Sequence, residues 1–432
     1  MEGSHTRRYC LLCMGFSLMG SGDCFARQSE PEPGVRIRIA TFEIGDVRTA
    51  DLLKADEPRL RGIAEILQRL RPNIVLLSGI SFDSSGGPDV KDGDPTGRNA
   101  LRLIEKYLAV PQREGLSPLR YAAFFEPVNA GAPSGRDLNH DGVVVTKYAA
   151  PPGRAPDGSN LPWSAAADAY AGDCWGRGAF PGQCGMVLLV DERLQILVPK
   201  VRTFRLFPWD YMAGAQGPWE FPSASGEEPV KPTPKPDSRE ADRSVIRLSS
   251  TSHWDVPVEL PNKAVLHILC SHPVERRGAN SPESRRNHDE IRFWADYVEE
   301  LSYFVDDKNS PGGLPGDAPF LILGSLGCPP DTDDGPDPIG TTLLGARRVN
   351  GAVVPRDPAL EPPLDSATSL AGQRLDYVLP SRDLGIAAAG IWRLPPESSV
   401  TGFPAAHFPV WMEVVVPSPT PAPAPERDHT PE

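Results

Sequence analysis

After residue 26, no stretch of the chain approaches the ~20 uninterrupted apolar residues of a membrane-spanning helix, which excludes a transmembrane segment in the remainder. Cysteine and histidine are scarce, at 7 and 8 of 432 residues. Beyond the first 26 residues none stands in a pair at the short spacing of a zinc site, so a finger or ribbon is excluded. No internal repeat is present, which excludes a repeat array. Positive charge is also in deficit: 44 Lys and Arg face 57 Asp and Glu, for a net charge of −13. An acidic surface of that size repels phosphate backbones unless a basic groove or a metal overrides it. General nucleic-acid coating is therefore disfavoured, and the sequence specifies no partner. What is abundant is proline (49) and glycine (40). Together they make roughly a fifth of the chain, short of the ~25–30% that marks low-complexity disorder. With 40% hydrophobic and 23% charged residues, the chain is globular and rich in ordered loops. Its length allows one large domain or two modest ones.

Arg7-Arg8, the largely apolar run Cys10–Gly20 and the small-residue pattern Cys24-Phe25-Ala26 form a charged region, a short hydrophobic region and a cleavage site. Residues 1–26 thus read as a signal peptide, and the protein as secreted or periplasmic. A lipid anchor on Cys24 is the alternative, although Asp23 stands where a small residue is wanted. Removal of the leader leaves Cys174, Cys184, Cys270 and Cys328. An even number in an exported chain permits disulfides, with Cys174–Cys184 local and Cys270–Cys328 long-range. Three pairings are possible, and four buried free thiols are the alternative.

Val35, Ile37, Ile39 and Thr41 alternate with Arg36, Arg38 and Ala40 as a strand does. Leu60, Ile63, Ala64, Leu67 and Leu70 recur at helical spacing, and Pro72 ends that helix before the apolar strand Ile74–Leu77. Further strands are expected at Gly142–Val145, Met186–Val190, Gln195–Phe204, Val245–Leu248, Val265–Cys270, Phe320–Gly324, Leu375–Leu379, Ile386–Ile391 and Val410–Val416. A second long helix places Ile291, Trp294, Ala295, Val298 and Leu301 on one face, starting near Asn287 or Asp289. Many strands and few helices in mixed order indicate an α/β protein with a two-sheet core flanked by helices. Asp83–Arg98, Pro151–Asp168 and Ser223–Arg239 read as loops inserted over that scaffold, and the proline-rich residues 417–432 as a tail outside the core.

The order of several segments carries a resemblance. Arg38–Ile44, Leu70–Leu77, Leu269-Cys270-Ser271-His272-Pro273, Leu323–Gly327, Arg374–Ser381 and Ala406-His407 resemble the endonuclease/exonuclease/phosphatase (DNase I-like) superfamily. Pro181–Met186, Ser252–Pro257 and Arg286–Ile291 resemble signatures of its exported bacterial branch. The likeness spans residues 35–416 and implies a four-layered α/β sandwich of two packed mixed sheets. It also implies metal-assisted hydrolysis of a phosphate ester, with Mg²⁺ or Mn²⁺ held by oxygen ligands at strand ends.

Measured against the family pattern, His272 and His407 stand at the positions of the two phosphate-flanking histidines, and Asp376 at the acid of the Asp-Tyr motif. Five other positions are altered. Glu43 replaces Asn, Gly79 replaces the metal-binding Glu, Ser325 and Gly327 replace the Asp and Asn of Gly-Asp-x-Asn, and Ala406 replaces the Asp before the last histidine. The resemblance leaves Glu43 as the one candidate metal ligand, its longer carboxylate reaching toward the place left by Gly79. It also sets Cys270 and Cys328 near the strand ends of the former catalytic face, where a disulfide would staple the strands in place of a bridging metal.

Losing one preorganised donor costs roughly 10²–10³ in rate in other enzymes. The expectation is accordingly an exported family member with a degenerate site and no cofactor, acting as a binding or structural module. The alternative is an active Mg²⁺- or Mn²⁺-dependent phosphoesterase using Glu43, Asp376, His272 and His407. His253 and His288 read as packing or capping residues. Asp137, Asn139 and Asp141 open like a calcium loop, but Tyr148 stands where its bidentate Glu is required. A turn is the simpler reading of that segment.

Overall fold

The alternating and continuous apolar runs fold as strands in a computed structural model that describes residues 34–155, 160–217, 244–279, 281–331, 337–395 and 402–419. The leader, Ser223–Arg239 and residues 420–432 lie outside the described residues. The strands are β1 (Val35–Val47), β2 (Ile74–Ile80), β3 (Tyr121–Phe124), β4 (Met186–Asp191), β5 (Gln195–Ile196) and β6 (Arg202–Thr203), followed by β7 (His253–Glu259), β8 (Val265–Ser271), β9 (Phe320–Ser325), β10 (Asp376–Pro380), β11 (Gly385–Ile391) and β12 (Val410–Val416). The helices are α1 (Thr49–Leu53), α2 (Pro58–Leu70), α3 (Arg98–Leu103), α4 (Ala165–Gly172) and α5 (Pro282–Val298).

Among the described residues two six-stranded mixed sheets form, ordered β11-β12-β1-β2-β4-β3 and β10-β9-β8-β7-β5, with β6 also on β7. Each contains one parallel pair, β1 with β2 and β8 with β9. Each pair is linked through a helix, α2 and α5 respectively, as a parallel crossover requires. Alternate side chains of the two sheets meet in a shared core that includes Ile39, Leu76, Leu188, Trp254, Ile268, Leu323 and Met412. The opposite face of the first sheet packs on α2 and α3 through Phe42, Ile63, Leu67, Val75 and Leu103. The opposite face of the second packs on α5 through Ile291, Trp294, Leu269, Ile322 and Leu379. The result is helix, sheet, sheet, helix: the four-layered α/β sandwich expected of a DNase I-like fold.

Four expectations are corrected. Gly142–Val145 is not a strand: Val143 and Val144 are exposed and the Val145 N–H donates to the Asp173 carboxylate at 2.7 Å instead of a ladder. Gln195–Phe204 is divided, because Pro199 sits in a short helical turn between β5 and β6. Val245–Leu248 makes only an isolated bridge between Arg247 and Pro208. The second long helix starts earlier, with Ser281 as its cap and Pro282 in its first turn, and ends at Val298, so Leu301 lies beyond it and is exposed. Two strands escaped the sequence pattern. β3 is short, and β7 carries Pro257 at its centre. The Pro257 carbonyl accepts from Leu197 N–H at 2.9 Å, so its missing N–H points to the same sheet edge, where little pairing is lost.

Among the described residues no disulfide forms, and Cys174, Cys184, Cys270 and Cys328 each keep an unbridged thiol. The proposed staple between Cys270 and Cys328 fails on side-chain direction. Cys270 points into the core between the sheets, whereas Cys328 packs with the α5 layer on the far face. Cys174 instead donates to the Tyr170 carbonyl, within the turn that closes α4. Among the described residues no helix is long and apolar enough to cross a membrane.

Candidate functional site

The retained polar residues converge at the end of the sandwich where β1 and β2 finish. Asp376 begins β10 and faces Ser325, the last residue of β9, across the antiparallel ladder. Its Oδ2 accepts from the Thr368 hydroxyl at 2.6 Å and pairs with His407 Nδ1 at 2.7 Å. Thr368 is held in turn, since its Oγ1 accepts the backbone N–H groups of Leu375 and Asp376. Asp376 Oδ1 is buried without a protein partner. For His407, burial disfavours the charged ring, but the charge and hydrogen bond of Asp376 outweigh it and raise its pKa to about 9. The ring is therefore an imidazolium at neutral pH.

His272 follows β8 and is half-buried on the wall of a cleft of about 790 Å³. Its Nδ1 lies 3.2 Å from the Cys184 carbonyl, so Nδ1 carries the proton and Nε2 is an acceptor. Burial, the largest influence, lowers its pKa to about 4. The two histidines thus differ in charge because only His407 has a carboxylate partner.

Glu43 is level with Ser78 in the β1–β2 register. Its Oε1 accepts the Gly45 N–H at 3.0 Å. Burial pushes its carboxyl up to about 7, with the nearby His407 charge working in the opposite direction. Immediately after Glu43, β1 bulges: pairing jumps from Glu43–Ser78 to Val47–Ile80, so three residues of β1 lie opposite Gly79 alone. This brings the Gly45 carbonyl against Gly79, which has φ +96°; a Cβ there would lie 2.1 Å from that oxygen and 2.7 Å from Glu43 Oε1. Gly327 is constrained similarly, with φ +62° and a Cβ position 2.8 Å from Glu275 Cα. Ser325 is buried, while Ala406 is exposed and its carbonyl accepts from Leu370 N–H.

Sequence reasoning missed several residues that build this end. Asp46 Oδ2 receives Arg48 Nε, Asn160 Nδ2 and Gln183 Nε2 at 2.8, 2.9 and 3.2 Å, joining β1 to two distant loops. Glu290 Oε1 accepts from the Ser250 hydroxyl and backbone N–H, and Oε2 from Val274 N–H at 2.9 Å, so it ties both cleft walls to α5. The Arg-Asn-His-Asp-Glu run was visible, but its loop partners were not. His253 is fully buried between Ser249 Oγ and the Glu290 carbonyl and stacks near Phe293, a packing role. His288 does not cap α5; it lies inside the helix and pairs with Asp289.

The Asp137–Gly142 segment is a turn. Asp137, Asn139 and Asp141 direct side-chain oxygens onto the N–H groups of Asp141, Gly142 and Val143. Among the described residues no group of three or more His, Cys, Asp or Glu side chains is placed to hold a metal ion.

A family model described as the Endonuclease/Exonuclease/phosphatase family matches residues 51–403. No curated protein matches the chain. Among solved structures, the chain is similar to an endonuclease/exonuclease/phosphatase from Beutenbergia cavernae, at 16% identity over 90% of this chain and 73% of that one, with a TM-score of 0.47. It is similar to the human Nocturnin catalytic domain with bound sulfate, at 14% identity, 89% and 94% coverage and a TM-score of 0.44. It is also similar to a mannosyl-6-phosphatase of Bacteroides thetaiotaomicron, at 10% identity, 88% and 99% coverage and a TM-score of 0.40.

Proposed function

The chain belongs to the endonuclease/exonuclease/phosphatase family, and from that premise we propose that it is an exported member whose phosphoesterase site is degenerate and which acts as a non-catalytic binding module. The observation that carries this reading is the bulge of β1 against Gly79. A simple substitution of glutamate by glycine would leave room for a ligand from elsewhere. Here the Gly45 carbonyl takes the space itself, so no side chain at residue 79 is accommodated.

The family is typically dependent on a divalent metal, and the residues present do not fit one. Mg²⁺ requires near-octahedral oxygen ligation. Of the candidate donors, Glu43 Oε1 is engaged by Gly45 N–H, and Asp376 Oδ2 by Thr368 and the cationic His407. Ser325, Gly327 and Ala406 supply no carboxylate. A cation there would be repelled by the His407 imidazolium, against which only the Asp376 and Glu43 carboxylates act among the residues just named. We therefore assign no hydrolytic step to His272, Asp376 or His407. His272 lines the cleft, and Asp376 and His407 lie close enough to influence its charge.

The second reading, a rearranged active phosphoesterase, draws on one observation, the unpartnered Oδ1 of Asp376. One assay separates the two. Bis(p-nitrophenyl) phosphate and p-nitrophenyl phosphate with Mg²⁺ or Mn²⁺ should show no turnover above that of Asp376→Ala. Metal-dependent turnover abolished by that substitution would establish the second reading. Export is tested by N-terminal sequencing of the protein from its native cell, with Arg27 as the expected first residue.

A further inference from the structure

We propose that the cleft beside His272 binds a neutral saccharide. This rests on the non-catalytic reading above and gives the binding module a ligand class. At about 790 Å³ the cleft falls in the ~300–1,000 Å³ range of small-molecule sites.

Its walls carry guanidinium groups from Arg177, Arg277 and Arg286 and an equal number of carboxylates from Asp168, Glu275 and Glu283. A site for a phosphate ester without a metal needs cations in excess, and this one has none. The cations present are, moreover, largely committed. Arg177 is paired with Asp168 at 2.5 Å. Arg286 spends its guanidinium on the carbonyls of Leu248, Trp175 and Arg247 at 2.9, 2.7 and 2.6 Å, which fixes it as part of the wall. Arg277 shares the lining of the cleft with Glu275 and Glu283.

Mixed planar donors and acceptors suit a different ligand. Carboxylates accept from hydroxyls, guanidinium groups donate to them, and adjacent hydroxyls of a sugar ring present both. His272 adds a neutral acceptor nitrogen, because its Nδ1 proton is used by the Cys184 carbonyl. Half-buried Trp163 supplies apolar surface, with the Arg177 guanidinium lying over its ring 4.9 Å from the centroid. A pyranose, with an apolar C–H face and a rim of hydroxyls, matches this combination of indole and paired charges. A purely apolar ligand would take water from the charged walls without offering them a hydrogen bond.

The test is isothermal titration of the full chain, free of added metal, with maltotriose, chitotriose, mannotriose, glucose and glucose 6-phosphate. At least one neutral trisaccharide should bind, and glucose 6-phosphate should bind no better than glucose. Trp163→Ala should lower affinity roughly tenfold. Because Trp163 also packs on Ala167 and Phe180, the exposed Glu275→Gln serves as a second variant that leaves packing untouched, with an expected loss of about fivefold. Preference for the phosphorylated sugar, or failure of all three trisaccharides, overturns the assignment. Failure without phosphate release leaves the non-catalytic reading in place. Release of phosphate from glucose 6-phosphate on adding Mg²⁺ overturns both.

Discussion

Glu290 and His407 carry charge-dependent stability in separate pH windows. Burial, the largest influence, raises the Glu290 carboxyl from 4.5 to about 7, against the opposing charge of Arg286 and its own hydrogen bonds. A carboxyl whose folded pKa is raised binds its proton more tightly when folded. Its contribution is therefore complete below pH 4.5 and is lost as pH rises through 7, a change of about 3 kcal/mol. Glu43 has the same sign and window. Denaturant midpoints between pH 4 and 8 should fall with pH, and Glu290→Gln should flatten part of that slope. His407 acts higher: its pairing with Asp376 is fully present below pH 6.5 and lost through about 9, so His407→Gln should remove a decline in that range. A pH-independent midpoint would contradict both statements. Of these residues, His407, Asp376 and His272 were legible from short motifs. Thr368, Asp46 and Glu290 were not, because Asp376, Gln183 and Ser250, which they bond, lie 8, 137 and 40 residues away in sequence.

At the scale of elements, the β1 bulge decides the site. Gly79→Glu would restore the family residue in name, but its Cβ meets the Gly45 carbonyl in a backbone conformation that L-residues rarely adopt. The substitution should destabilise by at least about 3 kcal/mol and leave phosphoesterase activity absent. Recovery of metal-dependent activity in this variant, read alongside its thermal midpoint, would show that the bulge yields. Helix α5 offers a milder check. Ser281 Oγ accepts the Ser284 N–H at 3.0 Å, and Ser281→Ala should cost about 1 kcal/mol, measured by chemical denaturation. The pattern Ser-Pro-Glu at 281–283 was a helix start in plain view, yet Asn287 and Asp289, both good capping residues, drew the boundary inward. Proline was ambiguous in a different way. Pro199 broke an expected strand and Pro257 did not, because only their positions relative to a sheet edge distinguish them.

For the whole molecule, the apolar core between two sheets and the helical layers on either side hold the sandwich, with no disulfide among the described residues. Mg²⁺ or Mn²⁺ at millimolar concentration should leave the thermal midpoint within about 1 °C, since a ligand stabilises only what it binds. A rise that saturates with metal would point to a site built from Glu43 and Asp376. Dithiothreitol should likewise leave the midpoint unchanged, which non-reducing peptide mapping would support by finding four free thiols.

The sequence by itself determined the layer order. Period-two and period-3.6 hydrophobicity record which faces of β1, α2, β2, β8 and β12 are buried, and burial is a local property of each segment. It also carried the expectation that Glu43, Gly79, Ser325, Gly327 and Ala406 depart from the family pattern. Tertiary structure alone decided what surrounds those residues. The Gly45 carbonyl fills the space at Gly79, Cys270 and Cys328 face opposite sides of one sheet, and equal numbers of guanidinium and carboxylate groups meet in one cleft. Each of these depends on distances between residues remote in the chain, which no local pattern encodes.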